Sequence, residues 1–449
     1  MNAPLKSPAA APWHLQGNWA PVLDEIDVGP LVVRGHIPPQ LHGDYVRAGM
    51  NPRSGQSQHW FAGNGMLHSV QLNDGQARYR NRFVRTPYYE GDMNMMSGMF
   101  DPAASPANTN IIRHAGRWLA LEEAHWPWEV DRDLNTLGAH DFGGRLGGSM
   151  TAHPRVCPVT GELLFFGYQL AKPPFLTYYR ADSAGNLVEA QAIELPNPVM
   201  MHDWNVTRNH VVFMDLPVIF DLKAAMRGEP PLAFRPEAGA RLGVMKRNDA
   251  GGQVRWFEID PCYVFHPVNA YEQGDTLVLH VCRQDQAMAG GFEEIYGGDR
   301  TLGRLWRWTI DLAAGTVRED QIDDAAADFP RINDDLVGLP ARWAYMASLN
   351  AQAPSLTLGQ RLYKYDLATG ARLTRDFGPN SHLGEPIFIP RDGASDEDDG
   401  WILALSHDES QDQSALVILN AQDFTGEPEA EILMPRRIPY GAHGNWMPR

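Results

Sequence analysis

The sequence has few cysteines, no excess of positive charge and no long apolar run. Its three cysteines, Cys157, Cys262 and Cys282, are far apart and form no CxxC pair. Neither a disulfide framework nor a thiolate metal site is therefore predicted, and a reducing, cytoplasmic environment fits best. The 38 Lys and Arg are outnumbered by 55 Asp and Glu, for a net charge of −17. Such a surface repels phosphate backbones, which argues against nucleic acid as a partner.

The first residues also lack a targeting or membrane-spanning pattern. The segment MNAPLKSPAAAPW has one early lysine among small residues and prolines, and no apolar stretch as long as a signal peptide or a transmembrane helix needs. Residues 1–14 are predicted to be a disordered leader. Turn signals then recur throughout the chain from about Gly29, and no linker interrupts them. Residues 15–449 are therefore predicted to form a single domain.

Glycine, proline and aromatic residues are abundant. The chain has 42 Gly, 34 Pro, 13 Trp, 14 Tyr and 17 Phe, a composition typical of many short strands joined by tight turns, which indicates an all-β fold. Residues 176–189, 305–319 and 362–375 each alternate apolar with polar residues, turn at an Asp and a Gly, and enter a second strand. Repeated aromatic hairpins of this kind predict the outer strands of propeller blades, with a β-sandwich or a long meander as the alternative. Four apolar runs are predicted to be buried inner strands: LLFFGY (163–168), HVVFMDL (210–216), TLVLHVC (276–282) and WILALSH (401–407).

Four of the 16 histidines stand at a turn or strand entrance just before an apolar strand, namely His153, His202, His266 and His443. The inner strands of a propeller converge on its axis, so imidazoles from different blades can meet although they are 49, 64 and 177 residues apart in order. No HExxH, deaminase or EF-hand pattern occurs, which argues against the compact zinc and calcium sites.

Ten motifs in a fixed order extend from about Gly29 to Trp446. They are LVVRGHIPPQLHGDYVRAGMNP (31–52), HWFAGNGMLH (59–68), YRNRFVRTPYYE (79–90), NTNIIRHAGRWLALEEAHWPWEVD (108–131), TAHPRVCPVTGELLFFGY (151–168), MHDWNVT (201–207), FHPVNAYE (265–272), DFPRIN (328–333), GEPIFIPRDG (384–393) and HGNW (443–446). Together they resemble the carotenoid cleavage oxygenase family.

The resemblance implies a seven-bladed β-propeller in which loops and short helices cap one face over a central non-haem Fe(II). It implies that four neutral histidines bind this iron, and by motif position these are His153, His202, His266 and His443. Neutral imidazoles leave the full charge on a dipositive metal, so carboxylates behind them are needed to compensate the charge and to fix the ring tautomers.

The resemblance places such carboxylates behind three of the four rings. By motif position they are Glu123 for His202, Asp328 for His266 and Glu385 for His443. The family usually has a glutamate before its Phe-Pro, so the shorter arm of Asp328 is expected to act through a water or a shifted loop. Thr109 matches a threonine that stands beside an otherwise vacant coordination position, where its methyl group would keep out water or O₂.

The activity that the resemblance implies is the addition of O₂ across an electron-rich alkene at the iron, which gives two carbonyl products. The protein's tasks are then to hold the metal, to exclude competing reactions and to place one double bond. Candidates for an apolar substrate tunnel, chosen because they adjoin the motifs, are Trp60, Phe61, Phe100, Trp126 and Trp204. The expected partners are a small apolar conjugated alkene and O₂, with peripheral membrane contact for a lipophilic substrate and no protein partner.

Two substrate classes stay open. Members that cleave hydroxylated stilbenes or phenylpropenes grip the phenol with a lysine and a tyrosine, and this chain has Glu122 and Phe100 at those positions. The missing pair favours an apocarotenoid-like substrate. Cleavage of a phenylpropenoid or stilbene side chain is the alternative, because Glu122 could still accept a phenolic proton.

Three other functions are weighed against the oxygenase. A metal-dependent propeller hydrolase would turn over an ester or lactone without consuming O₂. A non-catalytic propeller would bind partners in a metal-independent way, but the chain shows no clear peptide-groove signal. Retinoid isomerisation is a minor alternative, since the relatives that perform it are membrane-associated animal proteins.

Overall fold

Antiparallel hairpins make up most of the protein in this computed structural model, which describes residues 12–91, 101–227, 229–288, 299–350 and 358–449. Within these residues the strands form seven sheets of four to six strands and one two-stranded ribbon. The sheets follow one another along the chain, and residues on or just before the innermost strand of each line a common central cavity. The fold is a seven-bladed β-propeller.

Each of the first four blades begins with an innermost strand near the axis and continues outwards. Blade 1 has β33 (Gly444–Pro448), β3 (Gly43–Met50), β4 (Gly65–Asn73), β5 (Gln76–Phe83) and β1 (Asp27–Val28). Blade 2 has β6 (Asn110–His114), β7 (Arg117–Leu121), β8 (Trp128–Val130) and β9 (Thr136–Ala139). Blade 3 has β10 (Arg155–Val156), β11 (Leu163–Tyr168), β12 (Leu176–Ala181) and β13 (Leu187–Ile193). Blade 4 has β14 (Asn205–Val206), β15 (His210–Asp215), β18 (Ala240–Lys246) and β19 (Arg255–Ile259), with the ribbon β16 (Val218–Phe220) and β17 (Leu232–Phe234) inserted.

The remaining three blades follow the same plan. Blade 5 has β20 (Tyr263–Gln273), β21 (Thr276–Gln284), β22 (Arg304–Asp311) and β23 (Thr316–Gln321). Blade 6 has β24 (Ala327–Arg331), β25 (Trp343–Leu349), β26 (Leu358–Asp366) and β27 (Arg372–Asp376). In blade 7, β28 (Ser381–Leu383) and β29 (Ile387–Pro390) both pair with β30 (Gly400–Asp408), followed by β31 (Gln413–Asn420), β32 (Ala430–Leu433) and β2 (Val32–Gly35). The described helices are short: α-helices at Pro87–Glu90 and Leu222–Met226, and 3-10 helices at Trp13–Leu15, Gly17–Trp19, Trp60–Ala62, Pro236–Ala238, Asp299–Thr301 and Asp334–Leu336.

Both ends of the chain close the ring. The C-terminal strand β33 is the innermost strand of blade 1, where Asn445 faces Val46 of β3. The strand β2, the second from the N-terminus, is the outermost strand of blade 7, where Val33 faces Ile432 of β32. Because each terminal strand completes a sheet begun by the other end, the first and last blades are tied together by backbone hydrogen bonds.

The predicted outer hairpins are present as β12–β13, β22–β23 and β26–β27, the two outermost strands of blades 3, 5 and 6. Their turn glycines, Gly185, Gly315 and Gly370, have φ values of 84°, 74° and 79°, which other residues rarely adopt. In the first turn the Asp182 carboxylate accepts hydrogen bonds from two backbone N–H groups, at 3.0 and 2.8 Å. The Asp and Gly of the repeated pattern are therefore explained by turn geometry.

The second strands of the blades carry much of the core. All six residues of β11 and five of six in β15 are buried, and these strands, with β21 and β30, are the four apolar runs predicted as inner strands. Trp204, Trp308 and Trp401 are among the largest fully buried side chains. Each buried large apolar side chain contributes about 1.5–3 kcal/mol, so the blades are held together by packing of their faces.

The predicted all-β, seven-bladed propeller is confirmed. Of the predicted leader, residues 1–11 lie outside the described part of the chain, whereas Trp13–Leu15 form a 3-10 helix in which His14 is buried. Among the described residues, the structure contains no helix with the length and apolar character needed to cross a bilayer.

Candidate metal centre

Four histidines from four blades converge near the propeller axis: His153, His202, His266 and His443. One ring nitrogen of each lies within 4.8 Å of those of the other three. The Nε2 atom of His202 is 3.0 Å from Nε2 of His153 and 3.3 Å from Nε2 of His266. Three of the rings are buried and His202 is half-buried. The structure thus brings together the histidines that the sequence analysis singled out.

The starts of the innermost strands position these rings. His443 stands directly before β33, and His153 and His202 stand two and three residues before β10 and β14. His266 lies inside β20, within the interval from Val264 to Pro267 where the register with β21 shifts. Such irregularities re-aim side chains beside functional sites. Each of these four blades therefore delivers its imidazole to the same place near the propeller axis.

Carboxylates from other blades lie behind three of the rings. The Nδ1-to-oxygen distances are 2.7 Å for His202 and Glu123, 2.9 Å for His266 and Asp328, and 3.0 Å for His443 and Glu385. Glu123 follows β7 in blade 2, Asp328 lies in β24 of blade 6, and Glu385 precedes β29 of blade 7. These are the pairings that the sequence analysis expected.

The hydrogen bonds to carboxylates determine which ring nitrogen can bind a metal. An ionised carboxylate only accepts hydrogen bonds, so each of the three rings donates from Nδ1 and, when neutral, carries its lone pair on Nε2. Lone pairs that face one another at 3.3 Å, as in His202 and His266, repel unless a cation lies between them. The residues therefore fit a metal ion. An all-nitrogen donor set suits a first-row divalent transition metal and argues against calcium.

Electrostatics favour the protonation states that a metal needs at Glu385, His153 and His443. Burial alone would raise the pKa of Glu385, but its interactions with His443 and Arg331 and the hydrogen bond from the Gly444 N–H lower it to about 2, so the carboxylate is ionised at neutral pH. Burial and the neighbouring rings hold the pKa of His153 well below its usual value. Burial also lowers the pKa of His443. These two rings are therefore neutral at pH 7.

Of the two ways in which Asp328 was expected to reach His266, the structure shows a shift of the backbone. The Oδ1 atom of Asp328 contacts Nδ1 of His266 directly at 2.9 Å, which leaves no space for a bridging water. The strand register shifts between Asp328 and Arg331, and Phe329 between them has a φ of 54°. This local irregularity offsets the shorter side chain. Although burial opposes the charged form of His266, the Asp328 carboxylate raises its pKa.

The sequence analysis missed a carboxylate near the fourth ring. Asp203 has an oxygen 3.5 Å from Nδ1 of His153 and forms close contacts of 2.7 and 2.9 Å with Arg155. It is 2% exposed. The signal was the MHDW motif, in which an acidic residue directly follows a ligand candidate. His153 thus has a carboxylate that is shared with an arginine.

Thr109 lies beside the cluster. Its backbone carbonyl accepts a hydrogen bond from the His443 N–H at 3.0 Å. Its hydroxyl donates to the side chain of Asn108 at 2.9 Å, and Asn108 donates in turn to the backbone carbonyls of Phe61 and Gly63. The rotamer of Thr109 is therefore fixed by this chain of hydrogen bonds.

The aromatic candidates for substrate contact lie in three different surroundings. Trp60 is buried, packs edge to face on Trp19 at 4.9 Å between ring centroids, and contacts Phe61 at 5.1 Å. Trp126 is half-buried against the core of blades 2 and 3. The indole Nε1 atoms of Trp60 and Trp126 are buried without a hydrogen-bond partner among the described residues. Trp204 is fully buried, and its indole donates to the backbone carbonyl of His153 at 3.0 Å.

The two remaining candidates differ in what the structure says of them. Phe100 lies outside the described residues. Glu122 accepts hydrogen bonds from the Ala124 N–H at 3.0 Å and from Nδ1 of His125 at 2.5 Å. Burial raises the pKa of this carboxyl, but the His125 charge and the hydrogen bonds outweigh it and lower the pKa. Glu122 is therefore an ionised carboxylate one residue from Glu123.

Comparison with known proteins gives a consistent picture over nearly the whole chain. The family model described as RPE65, retinal pigment epithelial membrane protein, matches residues 19–448. A carotenoid cleavage oxygenase of Mycobacterium tuberculosis is 37% identical over 97% of this chain and 97% of its own length. Apocarotenoid-15,15'-oxygenase of Synechocystis is 31% identical over 92% of both chains.

Solved structures extend the likeness to three dimensions. The lignostilbene dioxygenase of Pseudomonas brassicacearum superposes with a TM-score of 0.88 at 26% identity, covering 99% of this chain and 100% of its own. Cobalt-substituted Synechocystis ACO superposes with a TM-score of 0.85 at 30% identity, covering 96% of this chain and 97% of its own.

Proposed function

The chain belongs to the carotenoid cleavage oxygenase family, and from this premise we propose that it is an Fe(II)-dependent dioxygenase that cleaves a C=C bond of an apolar conjugated substrate into two carbonyl products. The favoured substrate is apocarotenoid-like. The observation that carries the proposal is the convergence of four Nε2 atoms on one point, with carboxylates behind three of the rings.

In this proposal His153, His202, His266 and His443 hold the iron. The iron supplies the activation of O₂ next to the alkene. All four ligands are neutral, so Glu123, Asp328 and Glu385 supply negative charge one layer out and hold the rings in the Nδ1–H tautomer. A rigid set of blades then keeps the four nitrogens in place without rearrangement during turnover.

Other residues restrict access and orientation. Thr109 is fixed by Asn108 and bonded through its backbone to His443, which supports the role of covering a coordination position that would otherwise admit water. Phe265 and Phe329 pack against the rings of His202 and His266, with centroids 5.2 and 5.0 Å apart. Apolar rings against the ligands favour an apolar substrate over water. Trp60, Phe61 and Trp126 are proposed to continue that wall, and Phe100 stays a candidate from its sequence position alone.

Cleavage of an aryl alkene, such as a stilbene or phenylpropene, is a second candidate. It is favoured by the likeness to lignostilbene dioxygenase over 99% of this chain and by the ionised Glu122 next to Glu123. A carboxylate accepts hydrogen bonds well from a phenol. Against this candidate stands Glu122 itself, which already accepts from His125 and the Ala124 N–H.

The proposal is tested by oxygen consumption and product identity together. Untagged protein reconstituted anaerobically with Fe(II) is supplied with apocarotenals, stilbenes, isoeugenol and vinylguaiacol in turn. The expected result is O₂ uptake that matches the formation of two carbonyl products from one of these classes. The class that reacts separates the two candidates.

Two variants make the test specific. His266→Ala removes a proposed ligand and is expected to abolish both metal retention and O₂ uptake. His210→Ala removes a histidine that pairs with Glu272 at 2.9 Å away from the cluster, so it is expected to keep both. Ester or lactone hydrolysis without O₂ uptake, or activity that survives in His266→Ala, would contradict the oxygenase.

A further inference from the structure

A cavity near the propeller axis reaches the four-histidine cluster. It is a cavity of about 350 Å³ whose lining includes His153, His266 and His443 at one end. At the other end the lining includes the exposed residues Arg113 and Asp335. The lining therefore passes without interruption from solvent to the rings. We call this cavity the axial funnel.

The axial funnel is separate from the region predicted to hold the substrate. Of the described substrate candidates, none lines it, and neither do Thr109, Glu123 and His202. The aromatic rings that flank the cluster, Phe265 and Phe329, are also absent from its lining. The rings of Phe265 and Phe329 therefore contact the cluster outside the axial funnel.

The walls of the axial funnel are rich in polar groups. Four asparagines contribute to the lining, namely Asn110, Asn205, Asn269 and Asn445. Asp203 and Glu385 lie at the level of the histidines, and Asp334 and Asp335 lie at the mouth. The Asp334 side chain is 63% exposed. Carboxylate and amide oxygens suit a hydrated divalent cation far better than they suit O₂ or an apolar alkene.

Two of the three arginines in the lining are neutralised by ion pairs, and the third, Arg113, donates a hydrogen bond to the backbone carbonyl of Pro448. Arg155 contacts Asp203 at 2.7 Å. Arg331 reaches from Asp334 at the mouth, at 3.2 Å, to Glu385 behind His443, at 3.5 Å. With these ion pairs made, the positive charges oppose the entry of a cation much less than free guanidinium groups would.

From this geometry we infer that the axial funnel is the route by which a hydrated divalent cation enters and leaves the four-histidine centre, apart from the path of the alkene. The inference rests on the proposed function, in which that cation is Fe²⁺. It assigns a task to Asp335, whose carboxylate attracts the cation to the mouth.

A route affects rates and leaves the equilibrium unchanged, which makes a sharp test. Val156 lines the axial funnel and is 38% exposed on β10, and Val188 on β13 of the same blade is 45% exposed outside it. Val156→Trp obstructs the axial funnel, and Val188→Trp is its matched control. Metal-free protein is mixed with Co²⁺, uptake is followed by the visible absorption of the bound ion, and removal is followed after adding a chelator.

The expected result is that Val156→Trp slows uptake and removal several-fold and by the same factor, so that the affinity for Co²⁺ does not change. Val188→Trp should match the wild type. Equal rates in all three proteins would overturn the inference and leave the proposed function intact. A wild-type chain that takes up no Co²⁺ or Fe²⁺ would contradict both.

A charge reversal tests the role of the mouth. Asp335→Lys should slow uptake roughly tenfold at low salt, and the difference should shrink as salt is added. Asp260→Lys makes the same change in net charge at the end of the outer strand β19, outside the axial funnel, and should leave uptake unchanged. Equal slowing in both variants would show a general effect of net charge and overturn the role of the mouth.

Discussion

The protein contains the same carboxylate–imidazole pair in two settings. At the axis, Glu385 binds Nδ1 of His443 at 3.0 Å. Between blades 4 and 5, Glu272 binds Nδ1 of His210 at 2.9 Å. The pairs are alike in geometry, but only the axial imidazole belongs to a group whose other nitrogens converge.

The peripheral pair shows what such a contact does when no metal is involved. Glu272 also accepts hydrogen bonds from the Thr207 hydroxyl and from the backbone and side chain of Asn209. It thereby fastens the β14–β15 turn of blade 4 to β20 of blade 5. A carboxylate behind a histidine is therefore no evidence for a metal by itself. The convergence of the Nε2 atoms is the informative feature.

The largest contrast is expected from removing the imidazoles. His443→Ala should lose the metal, because three nitrogens and an uncompensated Glu385 remain. His210→Ala should keep about one metal ion per chain, because its ring is not in the convergent group. Elemental analysis after dialysis measures the metal content of both variants. Stoichiometric metal in His443→Ala would remove the distinction between the two settings.

Neutralising the carboxylates should give a smaller contrast in metal affinity. Glu385→Gln keeps the size of the side chain but removes the charge and the strong acceptor, and is expected to weaken metal binding or activity roughly 10–100-fold. Glu272→Gln should leave the metal affinity unchanged. The metal affinity of each variant is measured by competition with a chelator of known affinity. A similar loss in both variants would indicate that the metal responds to blade packing in general.

The free energy of unfolding should depend on the peripheral pair, although the metal affinity does not. Glu272→Gln disrupts several hydrogen bonds to a charged acceptor, so it is expected to lower the free energy of unfolding by about 1–3 kcal/mol. The measurement is denaturant unfolding of the metal-free proteins, with Glu272→Gln compared with the wild type. An unchanged unfolding midpoint would show that the peripheral pair does not fasten the blades.

The smallest effect is the pH dependence of that stability. Burial raises the pKa of Glu272, but its hydrogen bonds outweigh this and lower the pKa from 4.5 to about 2. Because the folded-state pKa lies below the unfolded value, the stabilisation is complete above pH 4.5 and is lost as the pH falls towards about 2. The difference in unfolding free energy between wild type and Glu272→Gln should shrink over this range. A constant difference would contradict the assigned shift.

Much of the site could be predicted because its residues lie in motifs that are continuous in sequence. His202 and Glu123 are 79 residues apart, yet each stands in a motif that a resemblance can locate. The composition and the repeated hairpins predicted blades, but three similar hairpins do not determine how many blades there are. That number came from the resemblance.

The parts that were not predicted depend on packing between blades. Asp203 approaches His153 only because the start of β14 lies beside the start of β10, and no spacing in the chain reports this. The direct contact of Asp328 with His266 depends on a register shift in β24, and no pattern in the sequence predicts that shift. The axial funnel is lined by residues of all seven blades, so it exists only in the assembled ring.

The central claim is that four imidazoles share one metal ion, and X-ray absorption at the iron edge tests it most directly. Protein loaded with Fe(II) is expected to show four nitrogen ligands with the outer-shell scattering of imidazole rings. A spectrum of the wild type dominated by oxygen or sulfur ligands, or with two imidazoles or fewer, would contradict the account.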